Sequence, residues 1–282
     1  MLPRLGARQI DDVSRTDITR LLDRIADENG APMADQVLAF LRRIMNWHAS
    51  RSDTFRSPIV PGLAHTRPSQ QRRQRVLSDD ELRAVWRAAE ASPSAFGYLV
   101  KFLLLTATRR NEAARMRHGE ISGDTWTIPQ ERYKTALELV IPLSDVAVAV
   151  LEAVPMISNS GFVFTTDGKH PITGFSKFKR AFDAKVLAEM RKRDPEATLP
   201  RWTLHDLRRT ARSLMSRAGV PSDHAERCLG HVLPGIRGTY DRHEYLPEKK
   251  HAFAALGALV ERIINPPPAN VLTFAAGNVA AS

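Results

Sequence analysis

The sequence has 282 residues, 43% of them hydrophobic, with a single cysteine and a formal net charge of +10 from 41 Lys and Arg against 31 Asp and Glu. That length suits one large domain or two modest ones. The lone Cys228 excludes an internal disulfide and a cysteine-built zinc site. No apolar run approaches the ~20 residues of a membrane span, and the start lacks the apolar core of a signal peptide, so a cytoplasmic protein is expected. A chain this basic usually meets a polyanion, with nucleic acid the first candidate and an acidic membrane surface the second.

The first elements are helical. Ile18, Leu21, Leu22 and Ile25 recur on one face of residues 16–28, and Val37, Leu38, Leu41, Ile44 and Met45 do so over 34–48. These two helices predict a small helical unit over residues 1–56. Pro58, Pro61 and Pro68 then interrupt a polar stretch that carries Arg67, Arg72, Arg73 and Arg75. Residues 57–77 read as a basic inter-domain linker that could lie along DNA phosphates, or simply as a solvated run of charge. A domain begins at Ser78-Asp-Asp-Glu81, a capping box. The segment 96–107 is apolar almost all round and predicts a central core helix.

Thr125–Ile128 alternates as a strand should, and 131–135 with 138–143 read as a strand pair around a turn near Thr135–Leu137. Helices are predicted over 144–154, 174–192, 203–218, 221–229 and 247–264, with Gly219 and Pro221 marking a stop and a start. Cys228 falls at an apolar position of one of them and reads as packing. Asp223, His224 and Glu226 read as a solvated helix surface. Residues 266–282 carry no charge and predict a flexible tail. The fold class expected is mainly α with a small antiparallel β-sheet.

Four segments concentrate chemistry. They are Thr106-Ala-Thr-Arg-Arg-Asn-Glu112, where the buried helix ends in two arginines; Tyr133-Lys134; His205-Asp-Leu-Arg208; and Leu229-Gly-His231 with Tyr240 nine residues later. Singly, each has an ordinary structural explanation. In this order and at these separations they resemble the tyrosine recombinases, the phage-integrase family. The resemblance covers residues 78 to about 264. Thr106–Arg109 matches a Thr-Gly-x-Arg box, with Ala107 where the family has glycine. Tyr133-Lys134 and the strand after it match the hairpin lysine. His205–Arg208 matches His-x-x-Arg, and Leu229–His231 with Tyr240 matches the Leu-Gly-His box and the nucleophile. The hairpin often carries a histidine after the lysine, and Ala136–Leu139 supplies none.

The resemblance implies a catalytic domain over residues 78–265, preceded over 1–56 by a partial version of the family's helical core-binding domain, as in a chain that begins inside it. It implies DNA strand exchange through a 3′-phosphotyrosine at Tyr240, double-stranded attachment sites as partners, and self-association on DNA as a tetramer. It requires no cofactor and no metal. Arg109 and Arg208 would clamp the phosphate, since guanidinium is planar, always charged and binds bidentately. At pH 7 only ~10⁻³ of a free phenol is ionised, a cost of roughly 4 kcal/mol, so His205 would accept the proton of Tyr240. Lys134 would protonate the leaving 5′-oxygen, His231 would hydrogen-bond a non-bridging oxygen, and Glu112 would orient one of the cations. Residues 247–264 could dock on a neighbouring subunit or pack on their own domain. Two alternatives share these residues: a catalytically silent DNA-binding remnant or accessory factor, and a type IB topoisomerase-like activity.

Overall fold

The computed structural model of the chain describes residues 6, 8–66, 74–133, 138–157, 160–231 and 244–266. Lys134, Tyr240, Arg67, Arg72, Arg73 and the 267–282 tail lie outside these residues. The chain divides into two compact units, 1–73 and 74–282.

In the first unit, helix α1 (Arg15–Asn29) starts on a reciprocal cap. The Ser14 hydroxyl accepts from the Asp17 amide at 3.2 Å, and the Asp17 carboxylate accepts from the Ser14 amide at 3.1 Å. Gly30 ends the helix at φ +89°, a backbone angle that favours glycine, and Pro32 sits in the first turn of α2 (Ala31–Ala49). Ile18 and Leu22 of α1 meet Ala34, Leu38, Leu41 and Met45 of α2 in a small core with Val13 and Phe55. Ile44, expected on that face, is instead 51% exposed, together with Phe40 and Trp47. With one helix to pack against, α2 buries only a narrow stripe. The stretch that follows folds back on this unit: Ile59 and Leu63 pack on its core, and Asp35 accepts from the His65 amide at 2.8 Å.

Near the start of the second unit, the Leu77 amide donates to the Thr210 hydroxyl at 3.0 Å. Ser78 and Glu81 form the reciprocal cap of α3 (Asp79–Ala91), and Arg75 pairs with Glu81. Helix α4 (Ala95–Thr106) is buried along nearly its whole length, with Leu99, Val100, Phe102, Leu103, Leu104 and Leu105 at most 1% exposed. It packs against α3, α6 (Asp145–Glu152) and α8 (Leu204–Arg217). A short helix, α5 (Arg110–Ala114), follows α4.

The sheet is antiparallel, in the order β1 (Ile121–Ser122), β2 (Thr125–Ile128), β3 (Leu139–Pro142). Trp126 pairs with Ile141 and both are buried, as are Ile128 and Leu139 across the next register. The expected strand at 131–135 is not formed over 131–133. Pro129 ends β2, having no N–H to give to a ladder, and its carbonyl accepts from the Arg132 amide at 3.0 Å in a turn that Tyr133 continues. Strand β1 escaped sequence reading because two residues carry no alternation.

Helices α7 (Phe175–Arg191), α9 (Ser222–Cys228) and α10 (Leu246–Ile264) are the remaining helices among the described residues of the unit. Cys228 is buried, and burial pushes its thiol up to about 12. Of the two readings of the last helix, packing on its own domain is the one formed. Phe253, Leu256, Leu259, Val260 and Ile263 are buried against α3, α4, α6, α8, α9 and β3.

Gly257 permits that packing. A Cβ there would lie 2.8 Å from the Ser144 hydroxyl and 3.0 Å from its Cβ, and Ser144 caps α6. Gly257→Ala gains ~1 kcal/mol of helix propensity, against ~1–3 kcal/mol of overpacking and ~1 kcal/mol of lost cap. Urea denaturation should therefore show a net loss of about 1–3 kcal/mol. A variant as stable as the parent would mean that α10 and α6 can separate freely.

Candidate functional site

The first candidate segment starts where α4 stops. Its last residue, Thr106, returns its hydroxyl to the Phe102 carbonyl at 2.8 Å and meets the Thr108 hydroxyl at 2.9 Å. Ala107 then turns the chain with φ 52°. This left-handed cap is a glycine-favouring position, which accounts for the glycine of the resembling box; alanine accepts it at a cost of roughly 1–2 kcal/mol. The helix thus ends before the two arginines, not in them. Arg109 instead caps α5. Glu112 holds it twice, taking the Arg109 amide at 2.8 Å and its guanidinium at 2.7 Å.

The second segment is the start of α8. Asp206 is fully buried and accepts from the Thr203 amide at 2.8 Å, from its hydroxyl at 3.0 Å and from Arg209 at 2.6 Å. This cap fixes where the helix begins, and so where His205 and Arg208 point. Arg208 is only 5% exposed. One terminal nitrogen donates to the Ala107 carbonyl at 2.6 Å. The other donates to the Leu229 carbonyl at 2.8 Å and faces His231 Nε2 at 3.0 Å. One side chain therefore joins three of the sequence boxes.

The third segment closes α9. Gly230 has φ +65°; its amide donates to the Arg227 carbonyl at 2.9 Å, and the His231 amide donates to the Glu226 carbonyl at 3.1 Å. These two bonds and the left-handed glycine make a Schellman end. Tyr133 locks it, donating its hydroxyl to the Gly230 carbonyl at 2.8 Å while Arg109 approaches that hydroxyl at 3.5 Å.

Burial, then the charge of Arg109, lowers the Arg208 guanidinium to about 10, which leaves it cationic at neutral pH. Partial burial, then the charges of Arg209 and Arg208, holds the His205 imidazole below its usual range and favours the neutral, proton-accepting ring. Arg109, Glu112 and His205 line one groove of about 1120 Å³, whose wall also carries Arg110, Arg115, Arg132, Lys179, Arg180 and Arg201 against Glu131 and Asp183. Such a surface suits an extended polyanion. Arg75 pairs with Glu81 at the start of α3.

Sequence reading missed Glu226. It was assigned to a solvated surface, but its carboxylate takes His231 Nδ1 at 2.5 Å and Arg212 at 2.8 Å. The signal was present: a glycine directly after a helix end brings the residue beyond it back over the last turn, which pairs His231 with Glu226.

Gly230 can be tested directly. A Cβ there would fall 1.9 Å from the Tyr133 hydroxyl oxygen and 3.0 Å from a Leu139 methyl. Gly230→Ala should cost on the order of 3 kcal/mol from the left-handed backbone and the collision together. Adding Tyr133→Phe should recover part of that loss in a double-mutant cycle; strict additivity would show that the two do not meet.

Known proteins share the sequence pattern and the fold of this chain. The phage integrase family model matches residues 75–245. The prophage integrase IntA of Escherichia coli (strain K12) is 30% identical over 200 residues, 67% of this chain and 45% of that protein. The chain spans about half the length of the curated relatives it matches, 45% of IntA and 60% of the prophage integrase IntZ. Among solved structures, a Tn1549 transposon integrase in complex with a circular intermediate DNA has a TM-score of 0.63 at 16% identity, covering 81% of each chain. A lambda integrase tetramer bound to a Holliday junction has a TM-score of 0.60 at 19% identity, covering 80% of this chain and 68% of that one. These likenesses show the fold, and the family match over more than half of the sequence identifies the chain as a member of the phage integrase family.

Proposed function

We propose that the chain is a site-specific DNA recombinase that breaks and rejoins strands through a covalent tyrosine intermediate. The observation that carries this reading is the convergence on Arg208. Three boxes far apart in sequence meet at one buried guanidinium, whose charge is felt by Arg109 and His205, and those two side chains line a cationic groove. Structural ion pairs need no such convergence, whereas a phosphodiester does, because its displacement adds charge to the non-bridging oxygens.

In this reading Arg109 and Arg208 bind the scissile phosphate, each preorganised donor contributing roughly 10²–10³ in rate. The Tyr240 phenol oxygen attacks phosphorus and its proton passes to His205. The bond to the 5′-oxygen breaks as Lys134 protonates it, leaving a 3′-phosphotyrosine and a free 5′-hydroxyl. The bond energy stays in the phosphotyrosine, so the reverse step rejoins strands without a nucleotide cofactor or a metal. His231 donates to a non-bridging oxygen, and Glu112 holds Arg109.

Residues 78–265 serve as the catalytic domain, 1–56 as a helical core-binding unit, and Arg67, Arg72, Arg73 and Arg75 of the linker meet DNA phosphates. The partners are double-stranded attachment sites and further copies of the chain, four to a complete exchange. No described helix is long and apolar enough to cross a membrane, in keeping with work in the cytoplasm, on the nucleoid.

The test is a nicked suicide DNA that spans the attachment junction flanking the gene, scored for an adduct that survives denaturation. Wild type should form it and Tyr240→Phe should not. Arg208→Lys, which keeps the charge but loses the planar fork, should slow adduct formation by at least about 10²-fold. DNA binding without any adduct in the wild type would overturn the enzymatic reading and favour a DNA-binding accessory role.

A further inference from the structure

We infer that Glu226 is a positioning residue for His231, serving as the counter-charge that lets this ring donate to the DNA phosphate. The inference rests on the reading of the site as one that cleaves DNA. Its geometry is independent of that reading. The Glu226 carboxylate is 2.5 Å from His231 Nδ1, and the Arg208 guanidinium is 3.0 Å from Nε2. An ionised carboxylate only accepts, and a guanidinium only donates. Nδ1 therefore carries the proton, and in this state Nε2 presents a lone pair to Arg208.

A consequence follows for the DNA complex. With Nδ1–H committed to Glu226, Nε2 can donate to a phosphate oxygen only after taking a second proton. The imidazolium so formed stands beside Arg208, a like charge, and Glu226 is the facing anion that offsets it. Without it, two cations would stand within hydrogen-bonding distance of each other with no anion beside them.

Glu226 is built for this task. Burial opposes its ionisation, but hydrogen bonds from Arg212 and His231 and their charges hold its carboxyl below the usual range. Arg212 is itself fixed, donating to Ser216 at 2.6 Å and to Ser222 at 2.9 Å. Among the described residues, the charged groups that face the His231 ring are Glu226 from α9 and Arg208 from α8, with Arg212 of α8 directly behind Glu226. Arg109 and Glu112 act from beyond Arg208.

The experiment measures single-turnover cleavage of the nicked DNA against pH for the full chain, with DNA saturating. Glu226→Gln keeps shape and removes charge. Its alkaline limb should move to lower pH, and its rate at pH 8.5 should fall roughly tenfold or more. Arg212→Gln breaks the same ion pair but leaves the carboxylate on Nδ1, strengthening its pull on the ring, so its limb should move to higher pH. Opposite movements are the signature of charge coupling. If Glu226 served only to hold α9 on α8, both variants would lose rate with unmoved limbs, and that result would overturn the inference. A separate reading without catalysis comes from the ¹H–¹⁵N signal of the His231 Nδ1 proton in the DNA-free protein. It should be far downfield and slow to exchange in wild type and Arg212→Gln, and gone in Glu226→Ala. An unchanged signal in Glu226→Ala would also overturn the inference, whereas a wild type that shows the signal but cuts no DNA would sink the recombinase reading alone.

Discussion

A buried guanidinium sets the terms for this site. Arg208 is 5% exposed, and an ion so placed costs several kcal/mol unless its donors are met. Two of the groups that meet them are the carbonyls of Ala107 and Leu229, and both sit at helix ends. The last carbonyls of a helix have no partner within it and carry the negative end of its dipole. Arg208 thus resolves two deficits at once: α4 and α9 each hand it an orphan acceptor, and it repays both ends with one charge. The left-handed turns at Ala107 and Gly230 aim those carbonyls. This explains why small residues occupy both positions in boxes that look unrelated in sequence.

The anions around this charge are placed with equal economy. Glu112 holds Arg109, and Glu226 holds His231, each from the last or first turn of a short helix. Neither touches Arg208 directly, so its charge is lowered in affinity for its proton but not cancelled. A direct carboxylate partner would have stabilised the arginine and blocked it. Neutral carbonyl acceptors leave its field available to an incoming phosphate, while the two carboxylates hold Arg109 and His231 beside it.

Much of this was legible in the sequence, for reasons tied to particular residues. The Ser78–Glu81 cap and the all-apolar run from Leu99 to Leu105 write their own helices, because capping and burial are local rules. The strand at Thr125–Ile128 showed by alternation, and the four boxes showed by order and spacing. What was not legible depended on tertiary partners. Residues 131–133 have strand-like chemistry, yet Pro129 breaks the ladder and Tyr133 is spent on the Gly230 carbonyl 97 residues away. Ile44 fits the apolar periodicity of its helix, yet among the described residues of its own unit no second neighbour covers it. Glu226 looked solvated because a charged residue on a polar helix face usually is; only the reversal at Gly230 returns His231 to it.

The two histidines of the site show how placement divides their work. His205 stands on the groove wall among Arg209, Arg208 and Arg109, and burial and like charge keep a proton off it. That suits a group proposed to take the proton of a phenol. His231 lies between a carboxylate and the buried arginine, with one nitrogen committed to each. That suits a group proposed to pass a hydrogen bond to the phosphate once Arg208 turns toward it. Neither role could be exchanged without moving a helix end. His205 follows the cap that Asp206 makes for α8, and His231 follows the Schellman end of α9, so the proposed acid–base assignment depends on where two helices start and stop.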